Sequence, residues 1–239
     1  IHLAALNENE SASNPEQALL INGLGTLKLI QAAEKAGVKR LIYFSTIHIY
    51  GTPLVGKITE KTLPRPVHSH PITHRTSEDF VLSAHNRNSL CGIVLRLSNA
   101  IGPPAYSDSD RWTLVVNDLC RQAVTRRKMQ LRTSGLQMRD FITLEDVAGA
   151  VLHFLHLPPS QCGDGLFNLG GENPMRIIHV AERISFRSSK VLGFTPEIIR
   201  PAPGPNESLE ELNYCIDKLK ATGFRLQGKM DEEIDQTLK

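Results

Sequence analysis

Two apolar runs, Leu41-Ile42-Tyr43-Phe44 and Ile93-Val94-Leu95, each give way to small polar residues, Ser45-Thr46 after the first and Ser98-Asn99 after the second. A stretch of helical character, residues 71–84, lies between them, and no hairpin signal joins them. Strand, helix, strand without hairpins is the pattern of parallel βαβ connections. In such a sheet the carboxyl ends of the strands open onto a crevice, so hydroxyls and an amide placed there face a ligand.

The rest of the chain repeats that alternation. Ile1 to Ala5 reads as the end of a strand. Asn14-Pro15-Glu16 reads as a capped helix start, followed by Leu20, Leu24, Leu27 and Ile30 at helical spacing, with Gly37 ending the helix. Val38 to Ser45 and Gly92 to Leu97 are strands. The residues around 105–110 read as a polar loop, and residues 114–127 as a helix. Thr143-Leu144-Glu145-Asp146 caps a helix over 147–157, and Phe167-Asn168-Leu169 runs into Gly170-Gly171. A further helix covers 177–192, and 201–205 is a Pro-rich bend.

Composition excludes several classes of function. A formal charge of +2 is close to neutral, and the one basic run, Arg126-Arg127-Lys128, is short and carries no interleaved aromatics, so nucleic acid is not an expected partner. No apolar run approaches the ~20 residues of a membrane span. Cys91, Cys120, Cys162 and Cys215 are scattered, with neither metal-ligand nor disulfide-framework spacing, which fits free thiols in a reducing cytoplasm.

Several segments taken in order resemble the extended short-chain dehydrogenase/reductases, specifically the NAD-dependent sugar-nucleotide epimerase/dehydratase family. They are His2-Leu3-Ala4-Ala5, then Asn22-Gly23-Leu24-Gly25-Thr26, Ser45-Thr46 before Ile49-Tyr50-Gly51, Arg96-Leu97-Ser98-Asn99, and Arg139-Asp140-Phe141. The resemblance implies a Rossmann-like parallel sheet of α/β class with a smaller C-terminal substrate-binding domain. It places residues 1–103 and 138–175 in the dinucleotide-binding part and residues 104–137 and 176–239 in the substrate part.

The resemblance also implies roles. Ala4 and Ala5 would lie along the ribose and pyrophosphate of NAD. Ser45, Asn22 and Ser98 would line the cofactor side, with Asn22 bracing the active-site strand; Gly23 and Gly25 read equally as close helix–sheet packing. Thr46, five residues before Gly51, would hold the reacting sugar oxygen, with Ser45 the alternative by one register. Asn99 and Arg139 would bind the diphosphate of a nucleotide sugar, a guanidinium fork suiting phosphate oxygens; the other reading of Arg139 is a structural pair with Asp140 or Asp146.

This sequence departs from the family pattern in three places. Ile47 and His48 stand where a 4,6-dehydratase carries an Asp-Glu pair, which favours epimerase or reductase chemistry. The family's catalytic Tyr and its Lys four residues on are replaced by His70 and His74, set by the match of Glu78 to the family's following Glu. Either His70 carries the proton and His74 holds the ribose, or the site has lost turnover and the protein binds NAD or nucleotide without reacting. Metal binding by His68, His70 and His74 is the minor reading, and no metal is assigned. A literal Tyr-x-x-x-Lys at Tyr214 and Lys218 is rejected because no catalytic strand precedes it.

Finally, the Gly-rich pyrophosphate fingerprint is not found in these residues, so the sheet is read as N-terminally truncated, and a chain starting at Ile1 is expected to bind NAD poorly. NADP is not separated from NAD, and a homodimer is possible by resemblance alone.

Overall fold

The computed structural model describes residues 1–106, 112–204, 207 and 210–239. Residues 107–110 of the expected polar loop and Pro205 of the expected bend lie outside the described residues. In chain order the elements are α1 (Glu8–Ser13), α2 (Pro15–Ala18), a π-helical segment (Leu19–Leu24), α3 (Gly25–Lys35), β1 (Arg40–Thr46), a 3-10 turn (Ile47–Tyr50), β2 (Gly56–Ile58), α4 (Ser69–Asn86) and β3 (Cys91–Leu97). There follow β4 (Asn99–Ile101), α5 (Val115–Arg126), β5 (Lys128–Gln130), β6 (Met138–Thr143), α6 (Leu144–His156), a 3-10 turn (Pro159–Gln161), β7 (Leu166–Leu169) and β8 (Pro174–Arg176). The last are α7 (Ile177–Val191), β9 (Glu197–Ile199), β10 (Leu212–Tyr214), α8 (Asp217–Ala221) and α9 (Met230–Thr237).

These residues form two compact units, each assembled from three chain segments. The first comprises Ile1–Ser98, Ala148–Leu169 and Tyr214–Arg225. Its sheet has the order β1-β3-β7 and is parallel throughout, with Arg40 opposite Cys91 and Thr46 opposite Leu97. Ile30, Ala33, Leu41, Tyr43, Val81, Ala84, Leu90 and Val94 form the core between this sheet and the helices α3 and α4. Gly92 permits that packing: a Cβ there would lie 2.7 Å from the Val81 carbonyl oxygen, so α4 approaches β3 closely because there is no side chain in the way. The guanidinium of Arg40 donates to the carbonyls of Phe154, Leu155 and Leu157, supplying partners for the C-terminal end of α6.

Two local expectations are corrected in this unit. Ile1 to Ala5 is not a strand; only His2 forms a parallel bridge, to Tyr43. The chain then turns away, because Leu6 N donates to Asn22 Oδ1 and Asn7 starts α1 with a capping box. The helical spacing of Leu20 and Leu24 does not point inward either: they are 53% and 40% exposed, whereas Asn22, Thr26 and Ile30 are buried. The π-helical segment is the reason. Its wider winding rotates the face that follows it, so the amide rather than the leucines meets the interior.

The second unit comprises Asn99–Val147, Gly170–Asn213 and Leu226–Lys239. Here β6 pairs in parallel with β4 and antiparallel with β8, while β5 pairs with β9. One contiguous core joins α5, α7 and α9 to these strands through Ile101, Leu119, Met129, Phe141, Ile184 and Ile234. Arg183 and Arg187 on α7 pair with Asp231 and Asp235 on α9. A Cβ at Gly171 would collide with the carbonyl oxygen of Phe141, so only glycine fits where the chain passes β6.

The compact units divide at Ser98, Val147 and Leu169, so residues 99–103 group with the second unit. Residues 138–147 and 170–175 group with the second unit, because Asp140 ties the backbone N–H groups of Gly171 and Asn173 to β6. Residues 214–225 group with the first, where Cys215 N donates to Ile58 O and Tyr214 Oη lies 2.6 Å from Arg96 O.

Candidate active site

In the first unit the parallel register sets Ser45 beside Arg96 and Thr46 beside Leu97, so two hydroxyl residues close β1 just as β3 ends at Ser98. Ser45 Oγ and Ser98 Oγ are both buried and have no hydrogen-bond partner among the described residues. Ser98 N is held by Leu169 O at 2.9 Å, which fixes its backbone to the end of β7. Thr46 is half-buried, and its Oγ1 accepts from His48 N at 3.2 Å as the cap of the 3-10 turn. Accepting leaves the hydroxyl proton of Thr46 for another partner. Ala4 is exposed and Ala5 half-buried, immediately after the His2 bridge.

Helix α4 packs against β1 and the turn after it, and brings the histidines into the same unit. His70 and His74 lie one turn apart with ring centroids 4.4 Å from each other. His74 is 6% exposed, and its Nδ1 lies 2.7 Å from the Tyr43 hydroxyl. Burial pushes its pKa down to about 3, with the neighbouring His70 and His2 adding to the fall, so the ring is neutral. His70 is pushed down to about 4, first by burial, with Glu8 opposing and His48 and His68 adding to the fall. Its Nδ1 is buried with no partner among the described residues. Burial also raises the Tyr43 phenol well above its ordinary value, so this hydroxyl stays protonated beside the neutral His74 ring.

Asn22, turned inward by the π-helical segment, accepts from Leu6 N and donates to Thr73 Oγ1 at 2.9 Å. Its carbonyl accepts from Thr26 Oγ1 and Ser77 Oγ. Asn22 therefore braces the segment after His2 and the first turn of α4 rather than β1.

Sequence reasoning missed three features. Tyr43, the partner of His74, is 31 residues distant and gave no signal. His68 lies 3.6 Å from the Glu8 carboxylate. Beneath the strand ends, Arg96 forms a two-pronged pair with Glu78 at 2.9 and 2.7 Å and donates to the Tyr50 hydroxyl at 2.8 Å. Tyr50 in turn donates to Asn168 Oδ1. Arg96 and Glu78 are both fully buried; Glu78 had served only to set the register of the two histidines. Tyr214 belongs to this buried network, and Lys218 pairs with Asp164 and donates to Leu166 O.

In the second unit, Arg139 Nη1 donates to Asn99 Oδ1 at 3.2 Å and Asn99 Nδ2 donates to Asp140 O at 2.9 Å, so the two expected substrate residues meet across the β4–β6 pair. Asp146 accepts from Thr143, Gln227 N and Gly228 N, a structural role. Among the described residues no group of three or more His, Cys, Asp or Glu is placed to hold a metal ion, and no helix is long and apolar enough to cross a membrane.

Comparison with known proteins places this geometry in a wider set. The dTDP-D-glucose 4,6-dehydratase of Mus musculus is 29% identical over 164 residues, covering 69% of this chain and 44% of that protein. The UDP-glucuronate 4-epimerase of Thermodesulfobacterium geofontis is 26% identical over 195 residues, covering 80% of this chain and 58% of that protein. The chain thus spans about half the length of the curated relatives it matches. The structure of RMD from Pseudomonas aeruginosa complexed with NADPH superposes with a TM-score of 0.81 at 22% identity, covering 99% of this chain and 78% of that one, which shows the same fold. The family model described as the NAD dependent epimerase/dehydratase family matches residues 1–170, and the chain belongs to that family.

Proposed function

We propose that the protein is an NAD-dependent oxidoreductase of nucleotide sugars, acting on a sugar CH–OH group in the manner of an epimerase. The main support is the end of β1, where Ser45 and Thr46 close a parallel strand packed by a helix that carries His70 in its first turn. Buried polar atoms without partners are costly, and Ser45 Oγ, Ser98 Oγ and His70 Nδ1 are three of them in this unit. They fit a dinucleotide: Ser45 and Ser98 would hold its nicotinamide end, while Ala4 and Ala5 leave room along its ribose and pyrophosphate. NAD, or NADP in its place, supplies a hydride acceptor when bound.

The chain's own residues then have distinct tasks. Thr46 would donate to the sugar oxygen and orient it. His70, neutral and with an open ring nitrogen, would take and return the proton. His74 supplies no cation; bonded to Tyr43, it would hold the His70 ring in place. Asn22 would act indirectly, through Leu6 and α4. Asn99 and Arg139 would bind the diphosphate in the second unit. Ile47 and His48 provide no acid for water loss, which favours epimerisation over dehydration.

A second reading has its own support. With a pKa of about 4, His70 accepts a proton at pH 7 at a cost of about 4 kcal/mol, roughly a thousandfold in the population of its protonated form. That favours a protein that binds NAD and a nucleotide sugar with little or no turnover. The full-length protein, given NAD and a panel of UDP- and dTDP-sugars, distinguishes the two when conversion is followed by chromatography. Conversion that falls ~100-fold or more in His70→Ala supports the working histidine, within the range general acid–base groups contribute. Binding by calorimetry without conversion, together with conversion gained in the His70→Tyr, His74→Lys double variant, establishes the silent binder. A cytoplasmic location and a homodimer belong to the same proposal; Leu19, Leu20 and Ile72, exposed on the π-helical segment and α4, suit a dimer contact.

A further inference from the structure

We propose that the Tyr50 hydroxyl is a positioning group for the Thr46 hydroxyl, holding the turn between them against the buried Arg96–Glu78 pair. The inference rests on the reading above, in which Thr46 orients the sugar oxygen, and adds a residue to it. Tyr50 does not touch the sugar in that reading; it acts through the backbone.

The turn is short and held at both ends. Thr46 leaves β1 in extended backbone, and its Oγ1 accepts from His48 N at 3.2 Å. Residues Ile47–Tyr50 form the 3-10 turn, which Gly51 N closes on His48 O at 3.1 Å. His48 thus gives its N–H to Thr46 and its carbonyl to the close of the turn. At the far end, Tyr50 Oη accepts from Arg96 Nη1 at 2.8 Å and donates to Asn168 Oδ1 at 2.6 Å. Burial, partly offset by Arg96, pushes the phenol up to about 12, so the donated proton stays in place at neutral pH. The Arg96 guanidinium also lies over the Tyr50 ring, 4.8 Å from its centroid. A shift of Tyr50 rewinds a turn of four residues, and the Thr46 side chain, held by His48 N, turns with it.

The anchor belongs to the same strands as the site. Ser45, Arg96 and Asn168 lie side by side across β1, β3 and β7. Thr46 follows Ser45 directly, and Ser98 comes two residues after Arg96. Glu78, which grips Arg96 at 2.9 and 2.7 Å, sits one helical turn beyond His74 on α4. Exchanging a buried ion pair for apolar residues is often neutral or stabilising, so stability alone does not call for a charge here. A planar guanidinium fixed by a carboxylate presents its remaining donor in a set direction, which an apolar contact does not.

The test is a double-mutant cycle in the full-length protein. Tyr50→Phe removes the hydroxyl and keeps the ring; Thr46→Val removes the group it positions. On a nucleotide sugar that the wild type converts, Tyr50→Phe should lower kcat about 10- to 100-fold, as a small misplacement near the chemistry does, with KM little changed. The double variant should be no slower than Thr46→Val, because the second change has nothing left to position. Independent losses that multiply, or an unchanged kcat in folded Tyr50→Phe, overturn the proposal. Circular dichroism checks that each variant is folded. Hydrogen exchange gives a readout without turnover: the His48 amide should exchange severalfold faster in Tyr50→Phe while the amides of α3 keep their rates. The paired change Glu78→Met with Arg96→Met, which removes the anchor but keeps the hydroxyl, should speed His48 likewise. Wild-type His48 exchange in both variants overturns the proposal. A wild type that converts no sugar, or a Thr46→Val variant as active as wild type, defeats the reading of Thr46 instead, and His48 exchange then decides the link to Tyr50 alone.

Discussion

The two histidines at the start of α4 make the protein's stability depend on pH. In the unfolded chain each would titrate near the ordinary imidazole value of ~6.5; in the fold His70 and His74 are held down, to about 4 and about 3. Below pH 6.5 the unfolded chain binds protons that the folded one does not, so stability is complete above that value and falls as acid is added down through the folded pKa values. We predict a loss on the order of a few kcal/mol between pH 7 and pH 4, read from urea unfolding of the full-length protein at a series of pH values. His74→Gln should flatten the profile, and an unchanged slope in that variant would show that other groups carry it. The identity of both histidines was legible in the sequence, through their spacing from Glu78. Their neutrality was not, because it depends first on burial, with neighbouring histidines adding to the fall, and these surround the two rings only once β1 and α4 are packed.

At the scale of single elements, the Arg96–Glu78 pair fastens α4 to β3 from within. Removing one partner of a buried pair leaves an uncompensated charge, which costs about 3–5 kcal/mol. Glu78→Ala should therefore lower the unfolding free energy, read from denaturant titration, by that amount, whereas the double change Glu78→Met with Arg96→Met should cost much less. Equal losses in the single and double variants would show that packing, not charge, holds this helix. The strands β1 and β3 and the helix between them were legible as apolar runs with turn residues at their ends. The π-helical segment was not: a regular period of 3.6 assigns Leu20 and Leu24 to the interior, whereas the wider winding turns Asn22 inward, where its hydrogen bonds with Leu6 and Thr73 hold it. The short bridge at His2 was misread for a related reason. An apolar segment before small residues reads as a strand end, while the turn toward α1 is set by Asn22, 16 residues away from Leu6.

Across the molecule, each unit draws its final segment from the last part of the chain. Met230, Ile234 and Leu238 are all buried in the core of the second unit. Burying each such side chain contributes about 1.5–3 kcal/mol, so their sum is comparable to the total stability of a domain, about 5–15 kcal/mol. Removing residues 226–239 should leave the second unit unfolded, seen as loss of hydrogen-exchange protection in α5 and α7; protection at wild-type levels would mean that α9 is dispensable. Ile234→Ala alone should cost about 2–5 kcal/mol. The expected domain limits were built from sequence order and family resemblance, and neither carries the information that Asp140 gathers the turn after β7 onto β6, or that residues 214–225 return to the first unit.

That interleaving also bears on synthesis. A nascent chain has β1, β3 and β7 outside the ribosome well before residues 214–225 emerge, yet Cys215 and Tyr214 are needed to occupy backbone groups at Ile58 and Arg96. Until then, partners wait on both halves of the protein at once, and a ribosome that stalls late in the message would release not one finished half and one unfinished, but two incomplete ones.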